Sequence, residues 1–429
     1  MRTARDIYKD GVDFATLALQ SSDFAKYLKS NNQLDFTDPN AVRQLTISLL
    51  QRDFSLKVDI PETRLCPPLA DTCRLNYILW LQDLLDTTGN KYQDAYDSDR
   101  NVVGLDIGTG CCSIYPLLGC TIRPRWQFIA TDIDNDNIRT SSYTVKTNGL
   151  ESRIRIVKTS PSDNLISLTA LGVERIDFTM CNPPFYASRD ELVASAQEKE
   201  RPPFSACTGA EIEMVTAGGE VDFVSRMIDE SLQLRHKVLW HSSMLGKLSS
   251  VSVLVEKLIE LGNYNYAVTE FVQGNKTRRW AIAWSWTDFR PKANVARGIP
   301  GFPKHLLPFP SEYTFDISNN FIDDLGKLVD EELSSLHIQW VWRKGLTTGV
   351  GFAMENVWSR QYRRKMKTSL TQEKPSINEG KAELGLRVQL IVDPIEAKTV
   401  KVIIRWLKGS DSVLFESFCG MLKRKLERR

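Results

Sequence analysis

The stretch Met180-Cys181-Asn182-Pro183-Pro184-Phe185-Tyr186 follows a short apolar run, residues 176–180, which predicts a buried strand that ends in a sharp turn. Proline fixes φ and has no N–H to donate, so its carbonyl oxygen can face a ligand instead of a neighbouring strand. The Asn182 amide supplies another acceptor, and Phe185 supplies an aromatic face for stacking. These residues predict either a rigid site for one planar ligand with an exocyclic amine or an ordinary turn that leaves a strand.

Two strand ends earlier in the chain favour the ligand site. Residues 102–107 predict a buried strand that opens onto Gly108-Thr109-Gly110, where glycines let the backbone approach a ligand closely. A second strand, residues 126–131, ends at Asp132, about twenty residues beyond the glycines, where a carboxylate can accept both hydroxyls of a ribose. The turn lacks the third glycine of a dehydrogenase fingerprint and the lysine of a Walker site, which argues against both classes.

Strands and helices alternate through the middle of the chain, which predicts βαβ units and a parallel sheet. A glycine turn, an acidic ribose binder and an Asn-Pro-Pro-aromatic turn, in that order at three strand ends, form the pattern of S-adenosylmethionine-dependent methyltransferases. We therefore expect an α/β fold of the class I, Rossmann-like methyltransferase type. The predicted domains are a helical N-terminal module (1–70), the methyltransferase domain (71–290), a linker (291–310) and a small C-terminal α+β domain (311–429).

The bulk composition is that of an ordinary globular protein of 429 residues, of which 25% are charged and 42% hydrophobic. No apolar run approaches the length of a bilayer span, and the first residues lack a signal-peptide core. The eight cysteines and four histidines show no metal-ligand spacing, so we expect reduced thiols, an intracellular protein and no metal site. The net charge of +2 by itself predicts nothing about nucleic acid.

Several motifs extend the match from a class of enzyme to one family. They are Arg74-Leu75-Asn76-Tyr77-Ile78, Asp106-Ile107-Gly108-Thr109-Gly110, Ile114-Tyr115-Pro116-Leu117-Leu118-Gly119, Met180-Cys181-Asn182-Pro183-Pro184-Phe185, Gly218-Gly219-Glu220, Ser242-Ser243-Met244-Leu245-Gly246-Lys247, and Gln273-Gly274 with Arg279-Trp280-Ala281. From Tyr8 to about Trp286 the chain resembles the eukaryotic methyltransferase-like 16 family of U6 snRNA adenosine N6-methyltransferases. It is similar more distantly to bacterial 23S rRNA adenine-N6 methyltransferases, and the resemblance is much looser beyond Asp288.

The resemblance implies a site for S-adenosyl-L-methionine and an adenine pocket beside it. The implied cofactor-binding residues are Arg74 at the methionine carboxylate, Gly108 and Gly110 under the cofactor, Asp132 at the ribose, Asp163 beside the adenine, and Asn182. The implied catalytic residues, which would hold and stack a flipped-out adenine, are Asn182, Pro183, Pro184 and Phe185. The loop at 160–164 departs from animal members, which carry Lys at the position of Ser162 in a loop linked to restraint of cofactor binding.

The resemblance also implies that the N-terminal module (1–70) binds RNA and that cations form an RNA groove. Its residues would be Arg2, Arg5, Lys9, Arg201, Lys276, Arg278 and Arg279. From charge alone, the basic N-terminus is as well explained by a solvated tail, and residues 197–203 by a surface loop.

The last third of the chain predicts a small α+β domain. Strands are expected at 335–342, 386–392 and 399–407, with a final helix capped by Asp411-Ser412 and a polar insertion at 366–379. Relatives carry a C-terminal RNA-binding region of kinase-associated-domain-like fold, and this basic stretch is compatible with one. A protein-docking or purely structural domain is the alternative.

The expected function is transfer of a methyl group from S-adenosylmethionine to N6 of an adenosine in structured RNA, in the nucleus and, as a second location, the cytoplasm. U6 snRNA is the expected partner and mRNA hairpins are further candidates. One alternative is a protein glutamine N5-methyltransferase, which also uses Asn-Pro-Pro-aromatic but does not account for the basic segments. Another is an RNA-binding scaffold with a mainly non-catalytic role, against which the intact turn argues. The oligomeric state stays open.

Overall fold

The computed structural model describes residues 7–8, 11–62, 64, 73–191, 211–273, 277–318, 321–362, 364, 379–395 and 398–428. They fall into two compact units. The N-terminal unit comprises Met1–Leu85, Tyr96–Thr287 and Gly298–Leu307, and the C-terminal unit comprises Asp86–Ala95, Asp288–Arg297 and Pro308–Arg429. No helix in the described ranges has both the length and the apolar character that a bilayer crossing requires.

An eight-stranded sheet organises the N-terminal unit. Its strands are β1 (Val102–Ile107), β2 (Trp126–Asp132), β3 (Ile154–Lys158), β4 (Ile176–Cys181), β5 (Val238–Leu245), β6 (Tyr266–Gln273), β7 (Thr277–Trp284) and β8 (Arg297–Gly298), in the order β3-β2-β1-β4-β5-β7-β6-β8. The first five strands of that order pair in parallel, and β5–β7 and β7–β6 pair antiparallel. The sheet therefore has the parallel core and late hairpin that the alternating sequence pattern predicts, which confirms the Rossmann-like fold.

Nine helices of the described residues accompany this sheet in the chain. They are α1 (Phe14–Gln20), α2 (Ser22–Ala25), α3 (Pro39–Phe54), α4 (Cys73–Thr87), α5 (Ile114–Ile122), α6 (Asn135–Thr147), α7 (Glu211–Met214), α8 (Gly219–Leu234) and α9 (Leu248–Glu260). Short polar caps start the early helices, because a side-chain oxygen can satisfy the free N–H groups of a first turn. The Asp13 side chain accepts from the N–H groups of Ala15 and Thr16 in α1. The Asp38 side chain, directly before Pro39, accepts from the N–H of Asn40 in α3.

Aromatic side chains of β4 and β2 pack together in the core of the N-terminal unit. Phe178 on β4 meets Phe128 on β2 edge to face at 5.5 Å between ring centroids. The two rings meet across β1, where Gly104 leaves room, since a Cβ there would lie 2.4 Å from Phe178 Cζ. The small residue in β1 is thus required by the large one in β4.

A second, antiparallel sheet organises the C-terminal unit. Its elements are β9 (Glu312–Ile317), β10 (Gln339–Arg343), β11 (Thr348–Ala353), β12 (Leu384–Val392) and β13 (Val400–Lys408), ordered β10-β11-β12-β13-β9. Helices α11 (Ile322–Ser334) and α12 (Ser412–Leu426) pack on it, following the short α10 (Ala293–Ala296) in the chain. Asp94, which lies between α4 and β1 in the sequence, forms ion pairs with Arg387 and with the buried Arg405.

The segment at 291–310 differs from the linker that its prolines predict. Residues 297–298 form β8 next to β6, and Ile299, Phe302 and Leu306 belong to the apolar core of the N-terminal unit. Proline restricts φ without preventing a segment from packing, so a proline-rich stretch can be an ordered part of a core. The segment is shared between the two units instead of separating them.

Candidate active site

The carboxyl ends of β1, β2 and β4 lie side by side, because β1 is paired with both of the others. This is where the strand order reverses direction, the position at which open α/β sheets bind ligands. The glycine turn 108–110 follows β1, Asp132 ends β2, and Asn182 follows β4. The fold therefore brings together three groups of residues that are far apart in the sequence.

The glycine turn is tied to the end of β2. Gly108 and Gly110 both have left-handed backbone conformations, with φ of 72° and 69°, which glycine adopts without strain. The Gly108 N–H donates to the Thr131 carbonyl at 3.0 Å, and the Gly110 N–H donates to Asp132 Oδ2 at 2.9 Å. The Asp132 carboxylate is consequently held in one orientation beside the turn.

Asp106, the last residue but one of β1, is fully buried beneath this turn. Its Oδ2 accepts a hydrogen bond from the Thr109 hydroxyl at 2.7 Å, whereas its Oδ1 is buried and has no hydrogen-bond partner in the described part of the chain. Burial raises the pKa of Asp106 to about 7; the Thr109 hydrogen bond and the Arg74 charge oppose that rise, and the charge of Asp132 adds to it. Asp106 therefore offers one unused acceptor at the turn.

Helix α4 contributes a cation and a strand anchor. In its first turn, Arg74 Nη1 donates to the Tyr115 hydroxyl at 3.3 Å. One turn later, the buried Tyr77 hydroxyl lies 2.8 Å from Ser242 Oγ and accepts from the Cys181 N–H at 3.4 Å. The helix thus reaches the last peptide of β4, directly before Asn182.

The Asn-Pro-Pro-Phe turn, residues 182–185, carries the amide oxygen that the sequence singles out. Pro183 is buried, and Asn182, Pro184 and Phe185 are partly buried. Asn182 Oδ1 is buried and, within the described ranges, makes no hydrogen bond. A buried acceptor without a partner carries a free-energy penalty unless a ligand supplies the donor, so this atom is suited to receive an N–H.

Phe185 lies between two elements that follow it in the sequence. A Cβ added to Gly246, at the end of β5, would lie 3.1 Å from Phe185 Cδ1, so the ring rests against that glycine. The Arg279 guanidinium lies 5.4 Å from the ring centroid. The aromatic face that the sequence predicts is therefore supported by the neighbouring backbone and by a cation.

Asp163 lies in the loop that follows β3. Its carboxylate accepts from the N–H of Ser160 at 2.8 Å, and Arg226 donates to its backbone carbonyl. The carboxylate is thus engaged in shaping its own loop. Its predicted place beside a cofactor adenine stays a prediction.

Two of the seven predicted RNA-binding cations lie in the described part of the chain. Arg278 and Arg279 follow one another on β7; Arg278 is exposed and forms an ion pair with Glu270 at 3.1 Å. The other five lie outside the described residues: Arg2, Arg5, Lys9, Arg201 and Lys276.

The described side chains at the site offer oxygen acceptors and an aromatic ring. They include no group of three or more His, Cys, Asp or Glu arranged to hold a metal ion. Cys181, the thiol nearest to Asn182 in sequence, is buried, and burial raises its pKa well above the usual value. That thiol is therefore protonated and poorly nucleophilic at neutral pH.

Three residues at this site have no role assigned from the sequence: Asp106, Tyr77 and Glu220. Each lies within a motif that carries the family resemblance, which is the only signal that could have pointed to them. Their contacts are with residues distant in the chain, so only the fold reveals what they do. Glu220, for example, accepts from the N–H groups of Gly246 at 2.6 Å and Lys247 at 3.1 Å.

The known proteins that this chain resembles are RNA methyltransferases. A family model described as RNA methyltransferase matches residues 2–288. The chain is 33% identical over 396 residues to the U6 small nuclear RNA (adenine-(43)-N(6))-methyltransferase of Schizosaccharomyces pombe, covering 92% of this chain and 96% of that protein. It is 42% identical over 295 residues to the RNA N(6)-adenosine-methyltransferase METTL16 of Homo sapiens, covering 66% of this chain and 50% of that protein.

Solved structures of the human protein resemble the same region. The METTL16 catalytic domain in complex with a MAT2A 3'UTR hairpin matches with a TM-score of 0.57 and 40% identity, covering 66% of this chain and 95% of that one. The N-terminal domain in complex with SAH matches with a TM-score of 0.54 and 39% identity, covering 66% of this chain and 98% of that one.

Proposed function

The chain belongs to the RNA N6-adenosine methyltransferase family that includes METTL16 and the U6 snRNA enzymes, and from this premise we propose that it methylates N6 of an adenosine in U6 snRNA. The observation that carries the proposal is the Asn182 oxygen at the end of β4, which is buried and has no hydrogen-bond partner among the described residues. A related structure with SAH and two with RNA hairpins support the same cofactor and substrate classes. Hairpins in mRNA are second candidates.

S-Adenosylmethionine, when bound, supplies an electrophilic methyl group on a sulfonium. The residues present fit this molecule, because the end of β2 offers a carboxylate for a ribose and the first turn of α4 offers a guanidinium for a carboxylate. Asp132 would bind the ribose hydroxyls, Arg74 the methionine carboxylate, and Gly108 and Gly110 would let the backbone approach. Asp106 Oδ1, which has no hydrogen-bond partner in the part of the chain that the structure describes, suits the methionine ammonium group, because that group would supply the missing donor.

Asn182 and Pro183 prepare the adenine amine for attack. An exocyclic amine on adenine is a poor nucleophile because its lone pair is delocalised into the ring. Accepting its two hydrogens with Asn182 Oδ1 and the Pro183 carbonyl favours the pyramidal amine that an in-line attack needs. No ionisable nucleophile is required, since fixed acceptors and orientation can supply most of the rate enhancement.

Phe185 provides the surface on which the base stacks. Adenine cannot reach a strand-end pocket while it is stacked in a helix, so the RNA must present it unpaired in a loop or bulge. Arg278 and Arg279 on β7 would bind phosphates, and we propose the same role for Arg2, Arg5, Lys9, Arg201 and Lys276. Because U6 snRNA is a nuclear RNA, the proposal also assigns the protein to the nucleus, which imaging of the tagged protein tests.

Labelled cofactor tests the proposal directly. The purified chain is incubated with S-adenosylmethionine labelled at the methyl group, total RNA and total protein from the same cells. We expect label in one small RNA, released as N6-methyladenosine on nuclease digestion. Label in protein as N5-methylglutamine would instead support the protein glutamine alternative, and no label in either fraction would support a non-catalytic scaffold.

A further inference from the structure

The first turn of α8 contains a buried carboxylate that has no part in the mechanism above. Glu220 is only 3% exposed, and both of its oxygens accept backbone N–H groups. Oε2 accepts from Gly246 at 2.6 Å and Oε1 accepts from Lys247 at 3.1 Å. The negative charge is favoured there by the dipole of α8, which begins at Gly219. Glu220 therefore fixes the turn between β5 and α9.

That turn is in contact with Phe185. A Cβ built on Gly246 would lie 3.1 Å from Phe185 Cδ1 and 3.2 Å from Glu220 Oε2. The glycine is thus the point where the carboxylate, the turn and the aromatic ring meet. Gly246 does not have a left-handed φ, so glycine is needed here for close approach and not for backbone conformation.

The residues just before Glu220 hold the backbone that continues from Phe185. The Tyr186 N–H donates to the Met214 carbonyl at 3.1 Å, and the Tyr186 carbonyl accepts from the Thr216 N–H at 2.9 Å. A Cβ on Gly219 would lie 3.4 Å from the Phe185 carbonyl oxygen. One short segment, residues 214–220, therefore supports both the backbone and, through Gly246, the ring.

We propose that Glu220 is a positioning residue for methyl transfer, which sets the angle at which the Phe185 ring meets the target base by holding Gly246 against that ring. The proposal rests on the proposed function, because it assigns the base-stacking role to Phe185. A base that stacks at the wrong angle still binds, but its amine is displaced from the Asn182 acceptor. Displacements of about 1 Å can lower a rate by about a hundredfold while binding changes little.

Two substitutions test the proposal, one on each side of the contact. Glu220→Gln replaces one acceptor oxygen with an NH₂ group that cannot accept from a backbone N–H. Gly246→Ala adds a methyl group between the Phe185 ring and Glu220 Oε2, so it disturbs the contact from the side of the turn. A matched control is Asp177→Asn on β4, since Asp177 also accepts a backbone N–H, that of Val103 at 2.8 Å, but at the opposite end of the sheet.

The assay measures kcat and KM for a U6 hairpin RNA at saturating S-adenosylmethionine, together with RNA affinity. We expect kcat to fall more than about tenfold in both Glu220→Gln and Gly246→Ala, with the RNA Kd changed less than about twofold. A hairpin with 2-aminopurine at the target position should show altered stacking fluorescence in the same two variants. Asp177→Asn should retain kcat even where its thermal midpoint falls.

Each other outcome contradicts a specific statement. Wild-type kcat in a folded Glu220→Gln or in Gly246→Ala, or an equal loss of kcat in Asp177→Asn, would overturn the positioning role. If Glu220→Gln does not fold, Gly246→Ala decides alone. A wild-type chain that methylates no RNA would overturn the proposed function itself, whereas an active wild type with unaffected variants would overturn only this inference.

Discussion

Asn182 is the residue on which the proposed chemistry depends most. Its amide oxygen is buried and unpartnered among the described residues, so removing it takes away a ligand acceptor without breaking a bond in the folded chain. We expect Asn182→Ala to lower kcat by about a hundredfold or more while RNA affinity stays within about twofold. Stability should change by less than about 1 kcal/mol. Near wild-type turnover in this variant would mean that another residue holds the amine.

Asp106 predicts a pH dependence of stability. The unfolded chain releases this proton near the ordinary value, whereas the folded chain holds it until its pKa of about 7. Between those values the folded state binds more protons, so stability falls as pH rises through this window and levels off above it. Asp106→Asn lacks the titration, and its stability relative to wild type should rise with pH by at most about 1.4 kcal/mol per unit.

Urea unfolding of both proteins without cofactor, at pH 5 and pH 7.5, measures this difference. The variant should gain relative stability at the higher pH. A difference that is the same at both values would show that Asp106 is ionised throughout the range.

At the scale of elements, the packing of β4 across β1 gives a stability prediction. Gly104→Ala would place a methyl group 2.4 Å from Phe178 Cζ, closer than two carbon atoms can approach. We expect a loss of about 1–3 kcal/mol in the free energy of unfolding, as is typical of an overfilled core. Pairing the change with Phe178→Leu, which frees volume beneath the same strand, should recover part of the loss. No recovery in the double variant would contradict this origin.

The strand ends are also where sequence reasoning succeeds. The glycine turn, Asp132 and Asn182 each follow an apolar run that is itself recognisable, so local pattern is sufficient to predict their placement at one sheet edge. Tyr77 and Glu220 are different, because their partners Cys181 and Gly246 are separated from them by long stretches of chain. Nothing local marks such a contact, and only the folded arrangement reveals it.

At the scale of the whole molecule, contacts between segments distant in the sequence also decide which residues belong to each unit. The C-terminal unit takes in residues 86–95 and 288–297, and Asp94 pairs with Arg387, 293 residues later in the chain. Domain bounds predicted from the sequence are contiguous ranges, so such a prediction cannot assign those two segments to the C-terminal unit. Composition predicts a linker for the proline-rich stretch 291–310, because composition alone does not show that Phe302 is buried.

The small net charge of the chain predicts that the salt dependence of RNA affinity comes from a few particular cations. The net charge is only +2, so long-range attraction to RNA is weak and affinity must come from particular cations. We expect log Kd to depend linearly on log salt concentration, with a slope that falls by about 1 for each of Arg278→Gln and Arg279→Gln. Filter binding of a U6 hairpin at several salt concentrations measures the slopes. A flat response in the wild type would exclude a phosphate-binding groove.

The central claim is that the Asn-Pro-Pro-Phe turn receives one adenine and methylates its N6 amine. The most direct measurement incubates the full chain with U6 snRNA and S-adenosylmethionine, then maps the modified nucleotide by mass spectrometry. We predict one N6-methyladenosine per RNA, at one position, and none when that adenosine is replaced by purine riboside, which has no amine. Methylation at a ring nitrogen or a ribose hydroxyl, or undiminished methylation of the substituted RNA at that position, would contradict the claim.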